Sequence, residues 1–298
     1  MALCSIIIPT HNRLDLVREA VASALEALPE GGEVLVIDDG STQPVLLALA
    51  DLAVPALRVL VNPNPGSAAS ARNFGAAEAT GEVLFFLDDD DRMVPGYPAA
   101  VLAELGRQPG LVWGHSAIRT TKGLPRAALA PERFGAGRLS ASLPFRRRLA
   151  GLGCGFWILR HSLLALGGIA EDLVVNEDTD LSVRLIASQA KGWVCAAPGV
   201  EVLLHGASGQ GTGAGQITKR TDPATRAWCF QEILNRNAVF FAANPSARRF
   251  LMQRLLKMIA KAGDAGKGNR VIAGEPLAGQ RLLLQAYFRA NLWYYRRK

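Results

Sequence analysis

Continuous apolar runs, each closed by polar or turn residues, recur along the first ninety or so positions. Ser5–Arg13 (SIIIPTHNR) opens with one, stopped by Pro9. Glu33–Thr42 (EVLVIDDGST), Leu57–Asn62 (LRVLVN) and Val83–Asp91 (VLFFLDDDD) hold three more. Runs without polar alternation read as strands buried on both faces, as in a parallel sheet. Between them the spacing turns helical. Leu14, Val17, Val21, Ala24 and Leu25 share one helix face, with Asn12 placed to cap it. Ala68–Ala79 (AASARNFGAAEA) predicts a small-residue helix that Gly81 ends in the left-handed conformation. Strand and helix in alternation predict an α/β fold, a parallel sheet with polar groups gathered at the strands' carboxyl ends.

The fourth run ends in four consecutive carboxylates, Asp88–Asp91. They repel one another, so something cationic is expected to hold them. In an extended chain Asp88 and Asp90 face one way, Asp89 and Asp91 the other. Carboxylates two residues apart can grip Mg2+ or Mn2+ and leave positions open for phosphate oxygens. A solvated acidic loop is the plainer reading of an isolated acidic run. Here a buried-type strand delivers the run to a sheet edge, where α/β ligands bind.

The segments SIIIPTHNR, VIDDGST, SAASARNFGAAEATGEVLFFLDDDD, GGIAEDL and NEDTDLSVRL follow one another through roughly the first two-thirds of the chain. In this order and spacing they resemble the family-2 nucleotide-sugar glycosyltransferases, inverting enzymes of the GT-A fold. The resemblance implies a mixed, mostly parallel sheet flanked by helices, with a C-terminal helical appendage. It implies a catalytic domain over 1–215, its nucleotide half 1–100 and its acceptor half 101–215, followed by a basic helical region over 216–298. Asp39 is implied to read the nucleotide base, with Pro9, Thr10 and Asn12 nearby. Arg72 is implied to hold the nucleotide, and Asp88 and Asp90 the metal on the diphosphate, with Asp89 beside them. The catalytic base falls in the pair Glu177–Asp178, and Asp178 is the expected base. His205 stands where related enzymes carry a third metal or diphosphate ligand.

The expected activity is metal-dependent, inverting transfer of a sugar from a nucleotide diphosphate donor, UDP for preference. The acceptor is a glycan or lipid-linked sugar in cell-surface polysaccharide synthesis. The alternative is a degenerate nucleotide-sugar-binding scaffold, which would not need the base. The chemistry asks for these parts independently. Loss of a nucleoside diphosphate builds charge on the leaving phosphate, which a metal stabilises. The attacking hydroxyl must lose its proton to a carboxylate across the cleft. Asp178 and Asp180 also suit a plain helix start before LSVRLI. Asp38, Asp39 and Gly40 suit a plain turn. The flanks of Arg72 are nearly all Ala, Ser and Gly, which would let its helix approach a ligand. GLGCGF at 151–156 predicts close backbone approach to a neighbour such as the donor sugar. Gly206–Gly215 lacks the G-x-G-x-x-G spacing of a dinucleotide site and reads as a lid or a connection. His11 and His115 read as structural.

Charge changes the picture at the C-terminus. Residues 223–298 carry 14 Lys/Arg against 3 Asp/Glu, while the remainder carries 19 against 23. No recognition motif points to nucleic acid. Arg249, Gln253, Lys257 and Lys261 form a polar stripe beside Leu251, Leu255, Met258 and Ile259. YFRANLWYYRRK at 287–298 mixes aromatic rings with cations, as membrane-interfacial segments do. Both peripheral contact with anionic membrane and packing on the catalytic part stay open. Cys4, Cys154, Cys195 and Cys229 have no metal or redox spacing, in keeping with a reducing cytoplasm. Neither a signal peptide nor a membrane-spanning stretch is expected. A haloacid-type phosphatase would need an Asp where Ile37 stands, and a sugar nucleotidyltransferase a Gly-rich loop where PTHNR stands.

Overall fold

The computed structural model describes residues 3–121, 137–139, 142–203 and 220–297. The strands are β1 (Cys4–Thr10), β2 (Glu33–Asp38), β3 (Leu57–Val61), β4 (Val83–Phe86), β5 (Asp91–Met93), β6 (Leu111–Thr121), β7 (Gly137–Arg138), β8 (Trp157–Leu159) and β9 (Lys191–Leu203). They form one mixed sheet in the order β3-β2-β1-β4-β8-β6-β9-β5, with β7 on β9. The four strands expected from the apolar runs, β3-β2-β1-β4, are all parallel. Beyond β4 the sheet turns antiparallel at β8, which pairs β4 on one side and β6 on the other.

Helices α1 (Leu14–Ala27), α2 (Val45–Ala48), α3 (Ala68–Glu78), α4 (Tyr97–Arg107), α5 (Arg160–Ala165) and α6 (Glu177–Ala187) accompany the sheet. Side chains of the central strands alternate between two cores. Ile6, Ile8, Val34, Val36, Val83 and Phe85 meet Val17, Val21 and Ala24 of α1 and Val101 of α4. Ile7, Leu35, Ile37, Leu84 and Phe86 meet Ala71 and Ala76 of α3, Leu163 of α5 and Leu181 and Leu185 of α6. That is why the runs carry no polar alternation. The register Thr10↔Asp38 levels the carboxyl ends of β1 and β2, and the Leu87 N–H donates to the Ile7 carbonyl beside them.

Three local expectations are corrected. Pro9 does not stop β1, which continues to Thr10 with Pro9 opposite Ile37. Pairing with β4 ends at Ile7, so the N–H that Pro9 lacks falls where no ladder partner is required. Asn12 does not cap α1; Arg13 holds that position without a side-chain cap bond. Asn12 takes a left-handed φ of 54° and accepts from the Thr42 N–H and hydroxyl, tying the loop after β2 to the loop after β1. Gly81 is not a left-handed cap either, since α3 ends at Glu78 with an extended Ala79. It is needed for closeness: a Cβ there would lie 2.5 Å from the Cys4 carbonyl carbon.

The C-terminal helices are α7 (Pro223–Arg236), α8 (Ala238–Ala243), α9 (Pro245–Lys261), α10 (Ala265–Ala273) and α11 (Ala278–Arg296). Phe230, Ile233, Phe241, Leu251, Leu255, Leu284 and Phe288 share a third core with Phe145, Leu173, Val175 and Val183. Asn237 donates to the buried Asp180 of α6 at 3.3 Å, and Arg236 pairs with Asp172. The helices therefore pack on the α/β part through their inner faces.

Gly81→Ala should lower stability by about 1–3 kcal/mol, because backbone cannot yield as a flexible side chain can. A urea melt reads this directly, and an unchanged midpoint would contradict the close contact.

Candidate active site

β4 ends at Phe86, and the next residues turn rather than extend: the Asp91 N–H donates to the Asp88 carbonyl at 3.1 Å. The expected strict alternation of the four carboxylates therefore fails. Asp91 swings round to Asp88 and Asp90, and one oxygen from each of the three lies within 4.8 Å of the others. Asp89 alone points elsewhere. It is buried, accepting from the Thr10 hydroxyl at 2.8 Å and from Arg13 at 2.7 Å. The same Arg13 nitrogen reaches Asp90 at 3.2 Å. Burial, then Asp88 and Asp90, push the Asp91 carboxyl up to about 8, against the Leu203 N–H that donates to it. Three converging carboxylates form an all-oxygen donor set suited to a hard divalent cation.

Arg72, on α3, is 5% exposed. Its Nη2 donates to Asp88 at 2.5 Å and its Nη1 lies 3.8 Å from Glu177. Its Nε and Nη1 have no hydrogen-bond partner among the described residues. One guanidinium thus spans the acidic turn and the start of α6. Asn176 enters α6 with a left-handed φ of 65°, and Glu177, Asp178 and Asp180 fill the first turn, where the helix dipole favours them. Burial pushes Glu177 up to about 7, with Asp178 adding to the rise and Arg72 opposing it. Asp178 also lies above the usual carboxylate range because it is buried, although the Thr179 N–H donates to it at 2.6 Å. Arg254 of α9 is close enough to pull it back down.

The glycine run 151–155 approaches these carboxylates closely. A Cβ at Gly153 would lie 2.5 Å from Asp88 Oδ2, and one at Gly151 3.5 Å from Asp178 Oδ2. Gly155, at φ 61°, leaves similar room for the Ser116 hydroxyl. The neighbour of this loop is the site's own acidic wall.

In the loop after β2, Asp39 accepts from Asn62 Nδ2 at 2.7 Å and lies 3.3 Å from the Gly66 N–H. Asp38 is buried and accepts the Ser41 N–H. Thr10 and Pro9 are buried beneath this edge, while Asn12 holds the neighbouring loop. The structure thus brings Arg72, Asp88, Asp90, Glu177 and Asp178 together, and sets Asp39 among the loops after β2 and β3. Thr10 and Asp89 form a support beneath. His205 and the glycine-rich 206–215 lie outside the described residues. Asp91, expected to face away from Asp88 and Asp90, joins them instead, and Arg13, Asn62 and Arg254 carry parts of the site that the sequence motifs did not single out. Only Arg13 had a signal, as a cation inside the first motif when the acidic run demanded one. A cavity of about 880 Å3 lined by Trp113, Arg148, Lys191 and Phe240 lies at the far end of α6 and contains none of these carboxylates.

The model of the family described as Glycosyl transferase family 2 matches residues 5–164, more than half the chain and all of the strands that carry the acidic turn. The chain belongs to this family. Succinoglycan biosynthesis protein ExoU of Rhizobium meliloti is 30% identical over 238 residues, 74% of this chain and 68% of that protein. WfgD of Escherichia coli, a UDP-Glc:alpha-D-GlcNAc-diphosphoundecaprenol beta-1,3-glucosyltransferase, is 24% identical over 163 residues, 54% of this chain and 62% of its own. An uncharacterized glycosyltransferase of Rickettsia felis is 29% identical over 194 residues, 62% of this chain but only 31% of its own length. The chain spans about a third of that relative and 36% of a Haemophilus influenzae one. Among solved structures, S. aureus TarS 1–349 in complex with UDP-GlcNAc shares the fold at TM-score 0.64 and 19% identity, covering 99% of this chain and 90% of that one. GalNAc-T7 with UDP, GalNAc and Mn2+ aligns at TM-score 0.61 and 19% identity, over 82% of this chain and 51% of its own. The expected mixed GT-A type α/β fold with C-terminal helices therefore holds for this family member.

Glu177 makes a testable pH signature. Its folded pKa, raised from 4.5 to about 7, means stability that is complete below 4.5 and lost as pH rises through 7. Glu177→Gln should remove part of that loss, on the order of 2–3 kcal/mol. Urea melts at the two ends of this window measure it, and an identical pH slope in the variant would contradict the buried-acid reading.

Proposed function

We propose that the protein is a metal-dependent, inverting glycosyltransferase that moves a sugar from a nucleotide diphosphate, preferably UDP, to a glycan or lipid-linked acceptor. The observation that carries this is Arg72, which touches Asp88 and faces Glu177 and so makes the acidic turn and the start of α6 two walls of one cleft. The acidic turn fits the diphosphate end and Asp178 the acceptor end. Support for the donor comes from relatives and neighbours: WfgD uses UDP-Glc, and TarS and GalNAc-T7 were crystallised with UDP-GlcNAc and with UDP and Mn2+. Support for the pathway class comes from ExoU and succinoglycan biosynthesis.

In this reading Asp88, Asp90 and Asp91 hold Mg2+ or Mn2+, which when bound offsets the charge that develops on the leaving diphosphate. Arg13 fixes Asp90 and Asp89 so that the turn keeps its shape. Arg72 orients Asp88 and places positive charge between the two walls. Asp39, with Asn62 bonded to it, receives the nucleotide base. Asp178 takes the proton of the acceptor hydroxyl as that oxygen bonds to the anomeric carbon, and the nucleoside diphosphate leaves from the opposite face with the bonding pair. Burial makes Asp178 a stronger base than an exposed carboxylate. Glu177 faces the arginine instead and keeps Asp178 free for the acceptor. All four cysteines are free thiols, which supports work in a reducing compartment such as the cytoplasm.

Asp178→Asn should cut transfer by about 10²–10⁴-fold while donor affinity stays within a factor of about two. Nucleoside diphosphate release assays and calorimetric titration of the donor separate the two quantities. Unchanged turnover would sink the base assignment, and a parallel loss of donor binding would move Asp178 to the donor wall.

A further inference from the structure

Helix α11 turns inward through Leu284 and Phe288, both fully buried, against α9 and α10. Helical geometry sets Leu282, Ala286, Arg289, Trp293 and Arg297 on the opposite side, at successive spacings of three and four, with Leu283 beside them. Leu282 is 71% exposed, and Leu283 and Trp293 are each 58% exposed. Arg296 borders the stripe, and the Arg297 guanidinium lies 4.0 Å from the centroid of the Trp293 ring. No Asp or Glu occurs after Glu275.

This face presents exposed aliphatic groups and a Trp, with Arg289 and Arg297 within the stripe, Arg296 beside it and no acid among them. That mixture matches the boundary of an anionic bilayer, where acyl chains accept the apolar groups and lipid phosphates accept the arginines. No helix among the described residues is long and apolar enough to cross a membrane, so contact through this face would be peripheral. Two-fold pairing with a second copy would bring together two faces that each carry Arg289, Arg296 and Arg297 and no acid to offset them.

We propose that the outer face of α11 is a membrane-docking surface for anionic phospholipid, with Leu282, Leu283 and Trp293 entering the headgroup layer and Arg289, Arg296 and Arg297 on lipid phosphates. This deepens the proposed function by naming the surface that brings the protein to a lipid-linked acceptor, and for that purpose it rests on that reading.

The full chain is floated with vesicles of phosphatidylcholine containing about a third phosphatidylglycerol, and with pure phosphatidylcholine. The account expects binding to the mixed vesicles that falls with added salt, and little to the neutral ones. Leu282→Glu with Trp293→Glu, and separately Arg289→Glu with Arg296→Glu, should each lower binding by about tenfold or more. These positions are at the surface, and unchanged melting confirms that the variants fold. Trp293→Phe should abolish a blue shift of tryptophan emission on vesicle addition. Equal binding by the variants, equal binding to neutral vesicles, or a lipid-free dimer that the Leu282→Glu change dissociates would each overturn the proposal. Nucleotide-dependent stabilisation, measured on the same samples, keeps the two readings apart. Vesicle binding without it strikes the glycosyltransferase reading, whereas its presence without vesicle binding strikes this one.

Discussion

Like charge gathered in one place is the constraint on which the rest of the site depends. Asp88, Asp89, Asp90, Asp91, Glu177 and Asp178 converge at the carboxyl ends of the central strands and the start of α6. At an effective dielectric near 20, two carboxylates about 5 Å apart repel by about 3 kcal/mol. A few such pairs equal the net stability of an ordinary domain. The fold answers with two arginines, each shared: Arg13 between Asp89 and Asp90, and Arg72 between Asp88 and Glu177. Burial drives the Asp91 and Asp178 carboxyls upward, so both resist carrying their share of the charge. In the proposed reading a divalent cation at the turn would supply the remaining balance, and it would also meet the charge of a departing diphosphate.

The scaffold that holds this charge was largely legible in the sequence. Strands buried on both faces show as unbroken apolar runs, and those runs became β1, β2, β3 and β4 in parallel order. What was not legible depended on contacts distant in the chain. Asn12 carries a helix-cap residue type, yet its side chain serves a loop thirty residues on. Gly81 has the composition of a helix stop but is chosen by the Cys4 backbone. Asp91 joined the metal-type cluster because a turn replaced the strand after Phe86, and periodicity alone cannot foretell a turn inside an acidic run. The antiparallel strands β8 and β5 are three residues each, too short to leave a pattern.

The basic C-terminal helices posed a choice between packing and display, and the structure does both with different faces. Apolar residues facing inward close a core with Phe145 and Leu173, and Arg254 of α9 brings positive charge towards Asp178. The surroundings of Asp178 are therefore built partly by a region outside the stretch that matches the family.

The central claim is that the acidic turn binds a nucleotide diphosphate through a divalent cation. The most direct measurement is thermal stability with UDP, GDP, dTDP and CMP, with and without Mn2+, for the wild type and for Asp90→Asn. Saturation at about a hundred times the dissociation constant contributes about 2.7 kcal/mol, a shift of several degrees. The account predicts such a shift for one diphosphate only when Mn2+ is present, and its loss in the variant. No shift with any of them, or an undiminished shift in Asp90→Asn, would contradict it.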